Sequence, residues 1–333
     1  MPQVVIAVAA YNEEKVIAAK IVNCLSMDWP ADRLGVVVAS DGSDDATDTI
    51  VSSFTDPRVR LIRLERRSGK PAALNRLIAE ADGDAILFTD ADVTLAPDAL
   101  RVMAGRLVEP GVGAVHAHYF RVNDQGSPAE GLFDRYESVL KNLEGQLGAM
   151  VGAYGWALLV RKQLCEPMPE DTILDDFLIG VRPFRAGFSV VYEKGARCWT
   201  RVETEEIEFG RKVRISQGNV QALLRNADLF APRYGLKAWV LFSHKFLRWI
   251  MPFLMLLMLA CSVVQIGNPF FLWVSLVLLA ACVSTPLVLV VPRKARKLMV
   301  LQYYILQNVA LVVGYWQYIA RPRQSYWKRT NRD

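Results

Sequence analysis

The chain has 333 residues, enough for one large or two modest domains. Its net charge of +5 is modest, and its Lys/Arg clusters sit beside apolar segments, which points them at lipid headgroups and away from nucleic acid. Five cysteines without paired spacing, and no C-x-x-C, argue against a disulfide framework and a zinc site and suit a reducing cytosol.

In chain order, the first half alternates strand and helix. Val4–Ala9 reads as a strand with no signal peptide ahead of it, which predicts a soluble domain on the cytoplasmic side. Helical spacing follows over Glu13–Met27, a buried strand over Gly35–Ala39, a helix over Asp44–Phe54 and a third strand over Val59–Leu64. Then come a helix over Lys70–Ala81, a strand over Ala85–Thr89, a helix over Pro97–Leu107 and a strand over Val112–Tyr119. This order predicts an α/β domain with a mainly parallel sheet covered on both faces. Leu132–Met150 is amphipathic, with Leu132, Phe133, Tyr136, Val139, Leu140, Leu143 and Leu147 on one side, and reads as a packing helix. Asp175–Ala186 reads as a helix that Pro183 kinks or ends, Val190–Tyr192 as a strand, and Glu205–Asp228 as a long basic helix.

The C-terminal third is nearly all apolar. A helix needs about 20 apolar residues to span a bilayer. Segments near 247–264, 270–291 and 298–319 qualify, the last interrupted by Gln302, Gln307 and Asn308. Ala238–Trp249 interleaves Trp and Lys/Arg with apolar residues, as a helix at the membrane surface does. The expected organisation is a cytoplasmic domain over 1–230, an interfacial region over 231–248, about three spans over 249–320 and a basic tail over 321–333, in a multi-pass inner-membrane protein. Basic clusters at 293–297 and 321–332 flank the last segment on both sides, so the positive-inside rule conflicts with itself there.

Four strand-end loops carry the candidate chemistry. Tyr11-Asn12-Glu13-Glu14 offers a ring and an acid for a planar base; equally, Asn12 suits a helix N-cap followed by first-turn acids. Ser40-Asp41-Gly42-Ser43-Asp44-Asp45-Ala46-Thr47 offers Asp41 as an acceptor for a base N–H, with Gly42 allowing close backbone approach; turn and cap chemistry is the plainer account. Ser68-Gly69-Lys70-Pro71 opens a helix with a lysine, which suits a phosphate, although the P-loop spacing is absent. Asp90-Ala91-Asp92 ends an apolar strand. Alternation aims both carboxylates to one side, where a hard divalent ion such as Mg2+ or Mn2+ offsets their repulsion and takes other ligands from phosphates. His116 and His118 share a strand face and read as packing or hydrogen-bonding residues without a third metal ligand.

The ordered set YNEE, SDGSDDAT, SGKPAALN and TDAD resembles a family-2 glycosyltransferase, an inverting enzyme of the GT-A fold. Asp171-Thr172-Ile173-Leu174-Asp175-Asp176 resembles the family's T-E-D motif, and Arg211-Lys212-Val213-Arg214-Ile215 its Q-x-x-R-W region. The resemblance covers roughly residues 4–250. It implies that Tyr11 and Glu13 line a nucleoside pocket, that Asp41 reads the base, and that Lys70 lies near the diphosphate or base pocket. It implies Asp90 at the ribose or metal, Asp92 on the metal, Asp176 as general base beside Asp175, and Arg214 at the diphosphate. Gly155 and Trp156 would stand at the acceptor end; Trp199 lines the acceptor path or packs. The implied donor is a nucleotide-diphospho-sugar, UDP-linked first. The implied acceptor is a growing polysaccharide or lipid-linked glycan, with membrane lipids around it. Ile215 stands where the family has Trp, which weighs toward single addition onto a polyprenyl phosphate or glycolipid. Three spans are few for a polymer channel, so a homo-oligomer or accessory subunit is a further expectation. A non-catalytic nucleotide-binding scaffold and a nucleotidyltransferase are the rivals from other classes.

Overall fold

The computed structural model describes residues 1–123, 125–127, 129, 131–150, 156–202, 205–288 and 296–320. They form two compact units, residues 1–202 with 228–240, and residues 205–227 with 241–320.

The first unit is a layered α/β structure. Its elements run β1 (Val4–Ala10), α1 (Ile17–Leu25), β2 (Leu34–Ser40), α2 (Thr47–Ser52), β3 (Val59–Arg63), α3 (Lys70–Glu80), β4 (Ala85–Phe88) and β5 (Thr94–Leu95). They continue α4 (Ala99–Leu107), β6 (Val112–Val122), α5 (Leu132–Gln146), β7 (Leu158–Arg161), α6 (Asp175–Arg185) and β8 (Ser189–Arg201). One eight-stranded sheet has the order β3-β2-β1-β4-β7-β6-β8-β5.

The sheet is mixed, where a mainly parallel one was expected. Strands β1 to β4 pair in parallel, but β7 runs antiparallel to both β4 and β6, and β5 antiparallel to β8. The short Leu158-Leu159-Val160 run has neither the length nor the alternation that marks a strand by sequence. Strand β8 extends to thirteen residues because it pairs with β6 across an irregularity between Ala117 and His118.

Alternation along β1 shows why its run is continuously apolar. Val4, Ile6 and Val8 pack on one face with Ile17, Ile21, Leu100 and Met103; Val5 and Ala7 pack on the other with Leu74, Leu77 and Ile86. A strand covered on both faces has no polar side to show. Registers Ala10↔Ser40 and Ala7↔Phe88 bring the C-terminal ends of β1, β2 and β4 to one edge, where open α/β sheets bind ligands.

Helix α5 packs on β8, as a packing helix should, but not by the whole of its apolar stripe. Tyr136, Val139, Leu143 and Leu147 are half or more exposed, whereas Glu137, Lys141 and Glu144 are buried. Amphipathic spacing defines a stripe but not the side on which it lies. Pro183 lies inside α6, which ends two residues later at Arg185.

The second unit is helical: α7 (Glu205–Arg225), a π-helical run over Leu241–Phe246 that follows α8 (Leu236–Val240) of the first unit, α9 (Leu247–Val264), α10 (Pro269–Val288) and α11 (Arg296–Ala320). The expected interfacial helix and first span therefore run together. Among the described residues, Leu236–Val264 is the one helical stretch long and apolar enough to cross a membrane, and Pro269–Ala280 is a shorter apolar helix. Within this unit Ser262 and Ser275 share a 2.8 Å hydrogen bond, and the Tyr315 hydroxyl donates to the Trp249 carbonyl at 3.1 Å. Gly314 is a close-packing point, since a Cβ there would strike the backbone carbonyl of Val213 and the side chain of Ser216 on α7.

Candidate active site

Cross-bonding joins the loops after β1 and β2. Asn12 adopts φ +55, accepts from the Asp44 N–H at 2.9 Å through its side-chain oxygen, and donates to the Asp44 carboxylate. It is therefore not the cap of α1, which starts four residues after Glu13. The backbone N–H groups of Glu13 and Glu14 donate to Thr47 and Asp45, so the acidic turn is a scaffold for Tyr11 and Glu13.

Asp41 ties the second loop to the third. Its two carboxylate oxygens accept the backbone N–H groups of Ser68 at 2.7 Å and Gly69 at 2.8 Å. Burial pushes its carboxyl up, against those two hydrogen bonds and the nearby Arg67 charge. The Arg67 guanidinium lies 4.1 Å from the Tyr11 ring centroid, a cation–π contact. Gly42 makes this closure feasible: its φ is +66, and a Cβ there would come within 2.6 Å of the Arg67 nitrogen. Gly42→Ala is expected to cost about 1–3 kcal/mol in denaturant unfolding and to raise the donor KM, because a side chain at positive φ is strained and here meets backbone. Unchanged stability and KM would show that the loop adapts.

Lys70 joins the third loop to the fourth and to α6. Its ammonium lies 2.7 Å from Asp90 Oδ1 and 3.2 Å from Asp175 Oδ2, with all three side chains between 13% and 27% exposed. Burial alone would lower its pKa, but Asp175, Asp90 and Asp176 outweigh that and hold the ammonium charged. Together with Asp176, Leu158 and Phe88 these groups line a small cleft. Asp176 accepts the Phe177 backbone N–H at 2.7 Å. Burial, then the Asp175 charge, pushes its carboxyl up to about 6, against the pull of Lys70. A carboxyl so tuned is ionised at neutral pH and basic enough to take a proton.

Asp92 follows Asp90 on the same turn, with Val93 N–H donating to the Asp90 carbonyl at 3.3 Å. Among the described residues no three His, Cys, Asp or Glu side chains gather into a self-sufficient metal site. The two-acid oxygen set fits a hard divalent ion that draws its other ligands from water and a diphosphate. The Lys70 ammonium against Asp90 shows that the spot attracts positive charge.

The Trp156 ring lies tilted against Tyr119 with centroids 4.0 Å apart, and Trp199 stacks on Phe120 at 6.1 Å. Both tryptophans are partly buried and pack against the core. His118 shares a 2.6 Å hydrogen bond with the Tyr192 hydroxyl, and His116 is buried against Tyr192, which agrees with packing roles. Gly155 lies outside the described residues. Arg214 lies on α7 in the second unit. Sequence reasoning passed over Lys20, whose only signal was a lysine on the apolar face Ile17, Ile21, Cys24 of α1.

The model of glycosyl transferase family 2 matches residues 5–164, and that of glycosyl transferase family group 2 matches residues 85–291. A beta-monoglucosyldiacylglycerol synthase of Synechocystis is 29% identical over 191 residues, 54% of this chain and 40% of that protein. A poly-beta-1,6-N-acetyl-D-glucosamine synthase of Staphylococcus epidermidis is 26% identical over 227 residues, 66% of this chain and 55% of that protein. The chain thus spans about half the length of these relatives. A mannosyltransferase from Pyrobaculum calidifontis, solved with GDP-Man and Mn2+, superposes with a TM-score of 0.69 at 24% identity, covering 95% of this chain and 88% of that one.

Proposed function

The chain belongs to glycosyltransferase family 2, and we propose that it is a membrane-anchored, metal-dependent inverting enzyme that moves a sugar from a nucleotide-diphospho-sugar to a growing polysaccharide or lipid-linked glycan. Its α/β sheet is of the GT-A kind, and it is a glycosyltransferase by its relatives. The observation that carries the finer reading is the Lys70 bridge, which brings the strand-end acid Asp90 and the helix-start acids Asp175 and Asp176 into one cleft. Donor-side and base-side groups must meet there for single displacement.

In this reading Tyr11, Glu13 and Asp41 hold the nucleoside, UDP-linked first, and Asp90 the ribose. Asp92, with Asp90, would hold Mg2+ or Mn2+, whose charge stabilises the departing diphosphate. Lys70 adds positive charge to the same oxygens, and the family resemblance gives Arg214 a diphosphate role. Asp176 accepts the proton of the attacking acceptor hydroxyl from the opposite face, with Trp156 and Trp199 on the acceptor side. One base and no enzyme nucleophile give inversion. Leu236–Val264, joined by α10 and α11, anchors the chain in the inner membrane, with the first unit cytoplasmic.

The second reading is single addition onto a polyprenyl phosphate or glycolipid, favoured by Ile215 in place of a tryptophan. Purified protein with membranes, Mn2+ or Mg2+ and a panel of labelled donors tests both. Nucleoside diphosphate release is expected. A ladder of products supports the polymer, and one lipid-extractable species supports single addition. Sugar 1-phosphate released in place of UDP, with UMP left on the acceptor, would turn the assignment to a nucleotidyltransferase. No release with any donor would favour a non-catalytic scaffold.

A further inference from the structure

Lys20 is 3% exposed, an unusual place for a lysine. Its ammonium donates to Thr89 Oγ1 at 2.9 Å and to the Val93 carbonyl at 2.6 Å. Those two residues bracket Asp90-Ala91-Asp92, so the acid loop begins and ends on a single cation. The Thr89 hydroxyl passes the contact on, donating to the Trp156 carbonyl at 2.7 Å. One turn along α1, the Asn23 amide pins Leu95 by donating to its carbonyl at 2.9 Å and accepting its N–H at 2.8 Å. Helix α1 thus grips residues 89–95 from behind with two side chains.

Burying an ammonium carries a large desolvation cost, and an apolar residue of similar volume would fill the place without it. A methionine could not, however, hold a hydroxyl and a carbonyl four residues apart at once. We propose that Lys20 is a positioning residue: it sets the spacing and direction of Asp90 and Asp92 from the side opposite the donor, and through Thr89 it couples that loop to the backbone of Trp156 on the acceptor side. Its action on metal binding rests on the metal assignment made under the proposed function; its grip on the loop does not.

The test uses the full chain in detergent, as wild type, Lys20→Met, Thr89→Val and Thr89→Ser. Mn2+ uptake in the presence of UDP is followed by loss of the free Mn2+ electron paramagnetic resonance signal, and amide exchange is followed over residues 89–95. Lys20→Met and Thr89→Val are expected to weaken Mn2+ uptake about 10–100-fold, as lost outer partners of metal ligands do, with Thr89→Ser within about threefold of wild type. Amides of 89–95 exchange faster in the first two variants and not in the serine variant. In steady state the defect appears in the Mn2+ requirement and donor KM and is largely relieved by saturating Mn2+. Wild-type Mn2+ uptake and exchange in both Lys20→Met and Thr89→Val would overturn the inference. If Lys20→Met fails to fold, Thr89→Val decides alone, since it removes the hydroxyl at nearly constant volume. A wild type that takes up no Mn2+ defeats the metal assignment, and the exchange measurement still decides the grip.

Discussion

Asp176→Asn is expected to lower kcat by about 10²–10⁴-fold, the contribution a positioned general base makes. Donor binding and fold are expected to survive, because Asn still accepts the Phe177 N–H and keeps the side-chain shape. The wild-type pH profile carries the same assignment. The base works ionised, so kcat/KM should fall below about pH 6, where burial and the Asp175 charge have moved the Asp176 carboxyl. Stability moves the opposite way. An acid whose pKa is higher folded than its ordinary 3.8 holds its proton more tightly when folded, so its ionisation destabilises the fold above about pH 6. Asn removes that charge. The variant should therefore melt at or above the wild-type temperature at pH 7.5, and the difference should shrink as pH falls from about 6 to the unfolded value of 3.8 and be gone below it. Full turnover in a folded variant, or a profile flat from pH 5 to 7, would remove Asp176 from the base role.

Lys70→Met should have the next largest effect. It removes the cation between Asp90 and Asp175 and leaves their charges, with that of Asp176, facing one another. Loss of one such charge-stabilising donor costs about 10²–10³-fold in turnover. Stability should fall more at pH 8 than at pH 5, since the Asp176 carboxyl relieves the repulsion by taking up a proton at the lower pH. The acid limb of the remaining activity should move up in pH, because Lys70 is what holds the Asp176 carboxyl down. Adding Asp175→Asn should return part of the lost stability, with a coupling of about 0.5–3 kcal/mol for side chains in direct contact. Additive losses in the double variant would mean that the bridge contributes nothing on its own.

Which features could be read beforehand follows from the range of the forces involved. Strands β1, β2 and β4 were legible because runs such as Val4-Val5-Ile6-Ala7-Val8 are buried on both faces and look it. Asp90 and Asp92 were legible because acids end such a run abruptly. Strand β7 was not: four residues pair as a strand only because β4 and β6 present their edges to it. Asn12 looked like a helix cap because caps are local, yet its partner Asp44 is 32 residues away. The outward part of the α5 apolar stripe has the same periodicity as an inward one.

By itself the sequence determined the alternation of strands and helices, the apolar C-terminal third and the order of the strand-end motifs, since each depends on neighbours within a few residues. Tertiary structure alone decided that Lys70 would bridge Asp90 to Asp175, and that Lys20 would lie buried behind the acid loop. Those contacts join residues 20 to 105 positions apart. No periodicity encodes such a distance. It is set by the registers that bring three strand ends to one edge, and by the need of every buried charge for a partner.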